Sequence, residues 1–382
     1  MPPTDWTANS VYHLATYQNG RAFGAGETQG TSGLPIVKIA ELNRGISEAT
    51  GLFDGELGAR HRVTENDIVF SWSGTIVVKR WHGADAALNQ HLFKVSVKPE
   101  FDEDFVLGVL QSLVPRFNEI VEDQRTTMGH VKVSDLRAMQ VLVPPKPQQV
   151  AIGRALRALE DLSFLNQRIV ATADRLILVR LRELALQAEG TGDVVPLTDI
   201  ARFVNGGAFT RGASGKGRMV IRIRELNTGP SDTTVYSDEA VRADKEANPG
   251  DILFAWSGSL GLYRWSGPVS IINQHIFKVV PVQPAWFVYA AISRHLSEFQ
   301  AIARDKATTM GHIQRHHLEE AMVRVPPPEL MEAWDAELSV LWDLILAREK
   351  ANGALASLRA AVVPALVTGR MALNFDARRD AA

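Results

Sequence analysis

Apolar positions along the chain change their period from strand-like to helix-like, and the whole series of changes then repeats. Short apolar runs come first. Ile36-Val37-Lys38-Ile39, Asp67 to Trp72 and Leu92 to Val97 read as strands, the second closed by a Ser-Gly turn. Residues 105–121 carry Val106, Leu110 and Leu113 at helical spacing, and Pro115 should kink or split that helix. A last strand, Ala138 to Val143, runs into Pro144-Pro145. From Gln148 to about Gln187 there is no Pro and no Gly but Gly153, while Ile152, Leu156, Leu159, Leu162, Ile169, Ala173, Leu176 and Leu184 recur mostly at three- and four-residue steps. The same order follows again. Val220 to Ile223, Asp251 to Trp256 and Ile276 to Val280 read as strands, Trp286 to Ala303 as a helix, and Glu320 to Val325 as a strand before Pro326-Pro327-Pro328. From Glu329 to about Val363, Trp334, Leu338, Leu341, Ile345, Leu355, Leu358 and Val362 mark a second long helix.

The letters repeat as well as the pattern. Asp67-Ile68-Val69-Phe70-Ser71-Trp72-Ser73-Gly74 returns as Asp251-Ile252-Leu253-Phe254-Ala255-Trp256-Ser257-Gly258, an offset of 184. Asn89-Gln90-His91-Leu92-Phe93-Lys94 returns as Asn273-Gln274-His275-Ile276-Phe277-Lys278, and Glu41-Leu42-Asn43 as Glu225-Leu226-Asn227, at the same offset. Thr126 to His130 returns as Thr308 to His312 and Val143-Pro144-Pro145 as Val325-Pro326-Pro327, both at 182, and Asn19-Gly20 as Asn205-Gly206 at 186. A period this long means two whole domains, not a solenoid of small units. Between the shared blocks the segments diverge, as in Gly24 to Leu34 against Thr210 to Arg218.

Each long helix is roughly 35–40 residues, or about 50–60 Å at 1.5 Å per residue. A narrow apolar stripe of that length calls for another long helix, so the two should form a coiled coil. The candidate seam is Ile152, Leu156, Leu159, Ile169 and Leu176 against Trp334, Leu338, Leu341, Ile345, Leu355 and Leu358. Asn166, Arg348 and Asn352 interrupt it, either fixing register or facing solvent. A pseudo-two-fold relation between the units would make the pair antiparallel and set the two globular domains at its opposite ends. The expected fold is α/β (α+β, strand-rich) domains in tandem duplication: 1–146, long helix 147–189, 190–327, long helix 328–368, and a tail 369–382.

Composition narrows the chemistry. The chain has 382 residues, a net charge of −2 and no cysteine, which excludes disulfides, thiolate zinc sites and a cysteine nucleophile. The first residues lack a basic stretch followed by an apolar run, so no signal peptide is expected, and no run approaches the ~20 apolar residues of a membrane span. A cytoplasmic protein is expected. Asp or Glu, any residue, then Lys occurs nowhere; no Walker loop is present; Phe23-Gly24-Ala25-Gly26 lacks cofactor-loop spacing; and Pro144-Pro145 follows Val143, not Asn or Asp. His316-His317 is a poor metal pair. No catalytic centre is expected.

The chain resembles the specificity subunit of Type I restriction–modification enzymes. The resemblance spans nearly the whole chain. It rests on Trp-Ser-Gly at 72–74 and 256–258, Asn-Gln-His-x-Phe-Lys at 89–94 and 273–278, Thr-Met-Gly-His at 127–130 and 309–312, and the Val-Pro-Pro exits into helices. The second exit, Pro328-Glu329-Leu330-Met331, lacks the Gln148-Gln149 pair of the first. The resemblance implies two target recognition domains, each reading half of a bipartite double-stranded DNA site, with helices that set the spacer and dock methyltransferase subunits, two of them expected. A motor-nuclease subunit would complete the complex. S-adenosylmethionine, ATP and Mg would be held by partner subunits and no cofactor by this chain. A scaffold joining two protein-binding domains uses the same duplication and is the competing reading.

Base edges take Arg, Lys, Asn and Gln; phosphates take cations, hydroxyls and amides. The second domain gathers Arg211, Lys216, Arg218, Arg222 and Arg224, with Glu225 the only acid close in sequence. The matching first-domain stretch offers Arg21, Gln29, Thr31 and Lys38. Lys79 and Arg80, with Arg264 in the second copy, suit phosphate or a cation–π pair with the neighbouring Trp. Arg125, Thr126 and Thr127, and Lys306, Thr308 and Thr309, suit a phosphate clamp. His130 and His312 read as capping or packing residues. Trp72, Trp256 and the Asn-Gln-His triplets, being the same in both copies, read as scaffold.

Overall fold

A computed structural model describes residues 5–28, 30, 32–123, 129–187, 190–231, 233–305 and 311–372. The chain divides into two compact units, Met1–Asp161 with Ser357–Ala382, and Leu162–Ala356. Each holds one copy of the repeat and a part of each long helix.

In the first unit, strands Ala15–Asn19, Leu92–Val97, Ile68–Ser71 and Val78–Arg80 lie side by side in that order, all antiparallel. A smaller sheet orders Leu52–Phe53, Leu34–Val37, Ala86–Leu88 and Arg62–Val63, with Leu34–Val37 parallel to Ala86–Leu88. Thr7–Ser10 pairs with Gln140–Val143. The second unit repeats every pairing: Ala201–Asn205, Ile276–Pro281, Ile252–Ala255, Gly261–Arg264; then Tyr236–Ser237, Arg218–Ile221, Ser270–Ile272, Glu246–Ala247; then Asp193–Pro196 with Met322–Val325. Identical topology in both copies is what a tandem duplication requires.

The expected strands at Ile36–Ile39 and Val220–Ile223 end earlier than their apolar letters do. Lys38 and Arg222 instead open short helices, Ile39–Arg44 and Ile223–Thr228. The cause is the repeated Glu: Glu41 and Glu225 accept the Lys38 and Arg222 backbone N–H, each at 3.0 Å, satisfying a donor the helix leaves free. As expected, the first unit's helical stretch is split, into Glu103–Ser112 and Val114–Asp123, while its twin Ala285–Asp305 runs unbroken. Asp102 caps the first of these, accepting the Phe105 N–H at 2.9 Å.

Phe70, Phe105 and Phe117 centre the first core, which Ile152, Leu156, Val363, Leu366 and Val367 of the long helices join. Gly108 makes room for them: a Cβ there would meet Leu156 Cδ1 at 2.3 Å. In the second unit Phe254, Trp286, Phe287 and Phe299 play that part with Ala173, Ile177, Leu181 and Leu184 of one long helix and Leu338, Trp342 and Ile345 of the other. The long helices, Lys146–Gln187 and Pro328–Val367, have 42 and 40 residues. Within the second unit they run antiparallel: Asn166 meets Asn352, while Arg180 further on meets Glu337 and Trp334 further back.

Two expected seam residues lie off the seam. Leu176 is 40% exposed and Leu358 46%. Four consecutive apolar letters, Leu176 to Val179, leave the helical phase ambiguous in sequence. One residue turns a helix by about 100°, and the buried line Ala173, Ile177, Leu181, Leu184 runs through Ile177. Asn166 is 1% exposed and donates to Asn352 Oδ1 at 3.1 Å, so it faces inward rather than solvent.

Candidate nucleic-acid interface

The divergent loops start from one place in each unit. Gly20 N–H donates to Leu92 O and Arg21 N–H to Leu88 O; Gly206 N–H donates to Ile276 O and Gly207 N–H to Ile272 O, all at 2.8–3.0 Å. These contacts bring Arg21 beside Asn89 and Gly207 beside Asn273. A Cβ on Gly20 would fall 2.2 Å from Leu88 O, and one on Gly206 2.1 Å from Asn273 O. The repeated Asn-Gly therefore lets the chain pass tight against the Asn-Gln-His turn before the loops diverge.

In the second unit the five clustered cations separate by exposure. Arg211, Lys216 and Arg224 are exposed. Arg218 is engaged by Glu246, an acid the local sequence does not show, and by the backbone carbonyl of Glu239. Arg222 pairs with Glu225 at 2.5 Å. Burial pushes the Glu225 carboxyl up, but hydrogen bonds from the Arg222 guanidinium and backbone outweigh it and hold it below its ordinary value. Arg224 donates to Thr233 Oγ1. In the first unit Arg21 pairs with Glu27 at 2.5 Å and lies 4.8 Å from the Phe53 ring, while Lys38 is exposed. Gln29, Thr31, Arg125, Thr126, Thr127, Lys306, Thr308 and Thr309 lie outside the described residues.

Lys79 donates to Asn43 Oδ1 at 3.0 Å; in the other copy Tyr263 donates to Asn227 Oδ1 at 2.6 Å, the same Asn with a changed partner. Burial lowers the Lys79 pKa.

Arg80 and Arg264 were expected at phosphates or against the neighbouring Trp, and the structure corrects both. Their side chains are 2% and 5% exposed. Arg80 is held by Glu103 at 2.8 Å, by Asp104 and, at 3.7 Å, by Glu160 of the first long helix. Arg264 meets both Asp174 oxygens at 2.9 Å and Glu349 at 2.8 Å, from the two long helices, and its guanidinium lies 4.5 Å from the Tyr289 ring and 5.5 Å from Trp342. Burial pulls both guanidinium pKa values down, but the carboxylate bonds raise them further. These arginines join each strand-rich domain to helix. Reach to carboxylates far along the chain is what sequence reading lacked; the shared offset of 184 was the available signal.

The repeated motifs converge. Trp72 packs on His91, Phe93 and His130 with centroids 5.7–5.9 Å away, and Trp256 on His275, Phe277 and His312 at 5.4–6.3 Å. Ser73 and Ser257 bridge His130 and His312 through the backbone. The motif lysines are structural: Lys94 pairs with Asp67 at 2.6 Å and Lys278 with Asp251 at 2.8 Å. Exposed cations on a divergent loop beside a shared polar platform can engage phosphates and base edges together. No described helix is long and apolar enough to cross a membrane.

Residues 3–173 match a family model described as the Type I restriction modification DNA specificity domain. No match is found among curated protein sequences. Among solved structures, the chain is similar in fold to the S subunit of a Type I restriction-modification system from M. genitalium, with 16% identity and a TM-score of 0.50 over 95% of this chain and 96% of that one. An HsdS subunit from Thermoanaerobacter tengcongensis aligns over 97% of this chain and 98% of its own, with 15% identity and a TM-score of 0.34. Residues 3–173 thus match a Type I restriction modification DNA specificity domain, and the second unit repeats the strand pairing of the first.

Proposed function

We propose that the chain reads a bipartite duplex DNA site, one half-site per repeat, while the long helices set the unread spacer and dock two methyltransferase subunits. The observation that carries this reading is that two units with identical strand pairing send out loops of unrelated sequence from the same Asn-Gly root. A shared frame with divergent loops suits two readers of different base sequences. Adenine methylation would then belong to the docked subunits, which would hold S-adenosylmethionine, and ATP and Mg to a motor-nuclease subunit.

A net charge of −2 is weak for a chain that grips phosphates unaided. Duplex binding should therefore be modest for the isolated chain, rise steeply when the methyltransferase is added, and fall as salt rises because phosphate contacts release counterions. Filter binding with and without that partner measures this. Tight binding by the chain alone would contradict the partner-dependent reading, and no binding with the partner present would favour a protein-binding adaptor.

A further inference from the structure

Two turns meet in each unit, and their surface residues match although the loops beside them do not. The Trp-Ser-Gly turn leaves Gly74 and Thr75 exposed in the first unit, and Gly258 and Ser259 at the same places in the second. Its glycines have φ of 65° and 63°, left-handed values that fix the bend. The Asn-Gln-His turn leaves Gln90 and Gln274 exposed. A backbone bond ties the turns together in both units, from Trp72 N–H to His91 O at 3.3 Å and from Trp256 N–H to His275 O at 3.2 Å.

Packing explains the aromatic motif residues, the half-buried Trp72, Trp256 and Phe277 and the buried Phe93. It does not explain Gln90 and Gln274, whose amides reach the next His ring, at 3.4 and 3.2 Å. Nor does it explain a hydroxyl kept at both 75 and 259. The polar interior of the turns is bonded differently in the two copies: Trp72 Nε1 has no partner while Trp256 Nε1 donates to Asn205 Oδ1 at 2.9 Å. Ser73 Oγ meets His91 Nδ1 at 3.0 Å, but their counterparts Ser257 Oγ and His275 Nδ1 have no partner, and neither does Asn273 Oδ1, though Ser257 and Asn273 are 3% and 9% exposed. A buried polar atom without a partner costs about 1–3 kcal/mol; of the three, the Ser257 hydroxyl can donate to a phosphate oxygen, whereas Asn273 Oδ1 can only accept.

We infer that these paired turns are a sequence-independent seat for the DNA sugar–phosphate backbone, with Thr75 and Gln90 in one unit and Ser259 and Gln274 in the other as donors to phosphate oxygens. The inference rests on the DNA-reading function proposed above. What two readers of different bases have in common is the backbone, and uncharged hydroxyl and amide donors are among the groups that bind it. The position favours DNA over a partner protein: Arg21 bridges Asn89 and Gly207 bridges Asn273, so each seat lies at the root of the loop assigned to base reading.

The test uses the full chain co-purified with its methyltransferase subunit and a short random-sequence duplex as probe. Gln90→Glu with Gln274→Glu should weaken binding about tenfold per repeat, and Gln90→Ala with Gln274→Ala about threefold. Because the native side chain is neutral, the alanine pair should leave the slope of log affinity against log salt unchanged. Both pairs should weaken target and random duplex by the same factor. Variants that bind as the wild type does, that weaken only one sequence, or that lose the methyltransferase while keeping DNA affinity would overturn the inference. Failure of the wild-type complex to bind any duplex would instead overturn the DNA reading beneath it.

Discussion

Arg264 is tied to both long helices by two carboxylates, yet nothing in its neighbourhood along the chain announces this. Replacing it with Met leaves Asp174 and Glu349 facing each other without a cation. Removing one partner of a fully buried pair costs about 3–5 kcal/mol; Asp174 is 34% exposed, so about 2–3 kcal/mol is expected here, read as a lower urea midpoint. Arg264→Lys should recover only part, because an ammonium cannot reproduce the two-pronged bond to Asp174. No loss in Arg264→Met would refute the assigned role. Glu225 gives a pH test. Its folded-state pKa lies below the ordinary value of 4.5, so its contribution is full above that pH and is lost as pH falls through the folded value. Glu225→Gln should therefore be less stable at pH 7, by about 1–3 kcal/mol, with the gap closing as pH drops below 4.5. A gap that widens on acidification would contradict this. At this scale the sequence shows the basic residues as a cluster along the chain. It missed which of them distant acids engage, because Glu246 lies 28 residues from Arg218 and meets it only once the small sheet has formed.

The elements were more legible. Period alone located both long helices, since nothing but a helix keeps three- and four-residue steps over 42 residues. Their phase was less so, and Leu176 shows why: where several apolar letters follow one another, only the partner surface chooses the inward one. The strands that were read fall within two or three residues of the observed ones, while Ala15–Asn19, Val78–Arg80, Ala86–Leu88 and their twins were not read at all, being too short or too polar to stand out. Asn166 and Asn352 belong to this scale. A paired buried amide specifies register at some cost in stability. Replacing both with Leu should raise the thermal midpoint, whereas Asn166→Leu alone should lower it by stranding Asn352. A fall in the double variant would mean the amides stabilise rather than specify.

For the whole molecule, the duplication was the most readable feature, because six blocks in fixed order leave no other account, and the strand pairings agree unit for unit. The target bases were not readable, since they depend on loops whose sequences share nothing between copies. The central claim is that each repeat reads its own half-site. Hydroxyl-radical footprinting of the chain with its methyltransferase, on the duplex that complex methylates, tests it most directly. The account predicts two protected tracts separated by an unprotected gap, with Arg211→Ala and Lys216→Ala together weakening one tract and sparing the other. A single continuous tract, or equal loss from both, would contradict it.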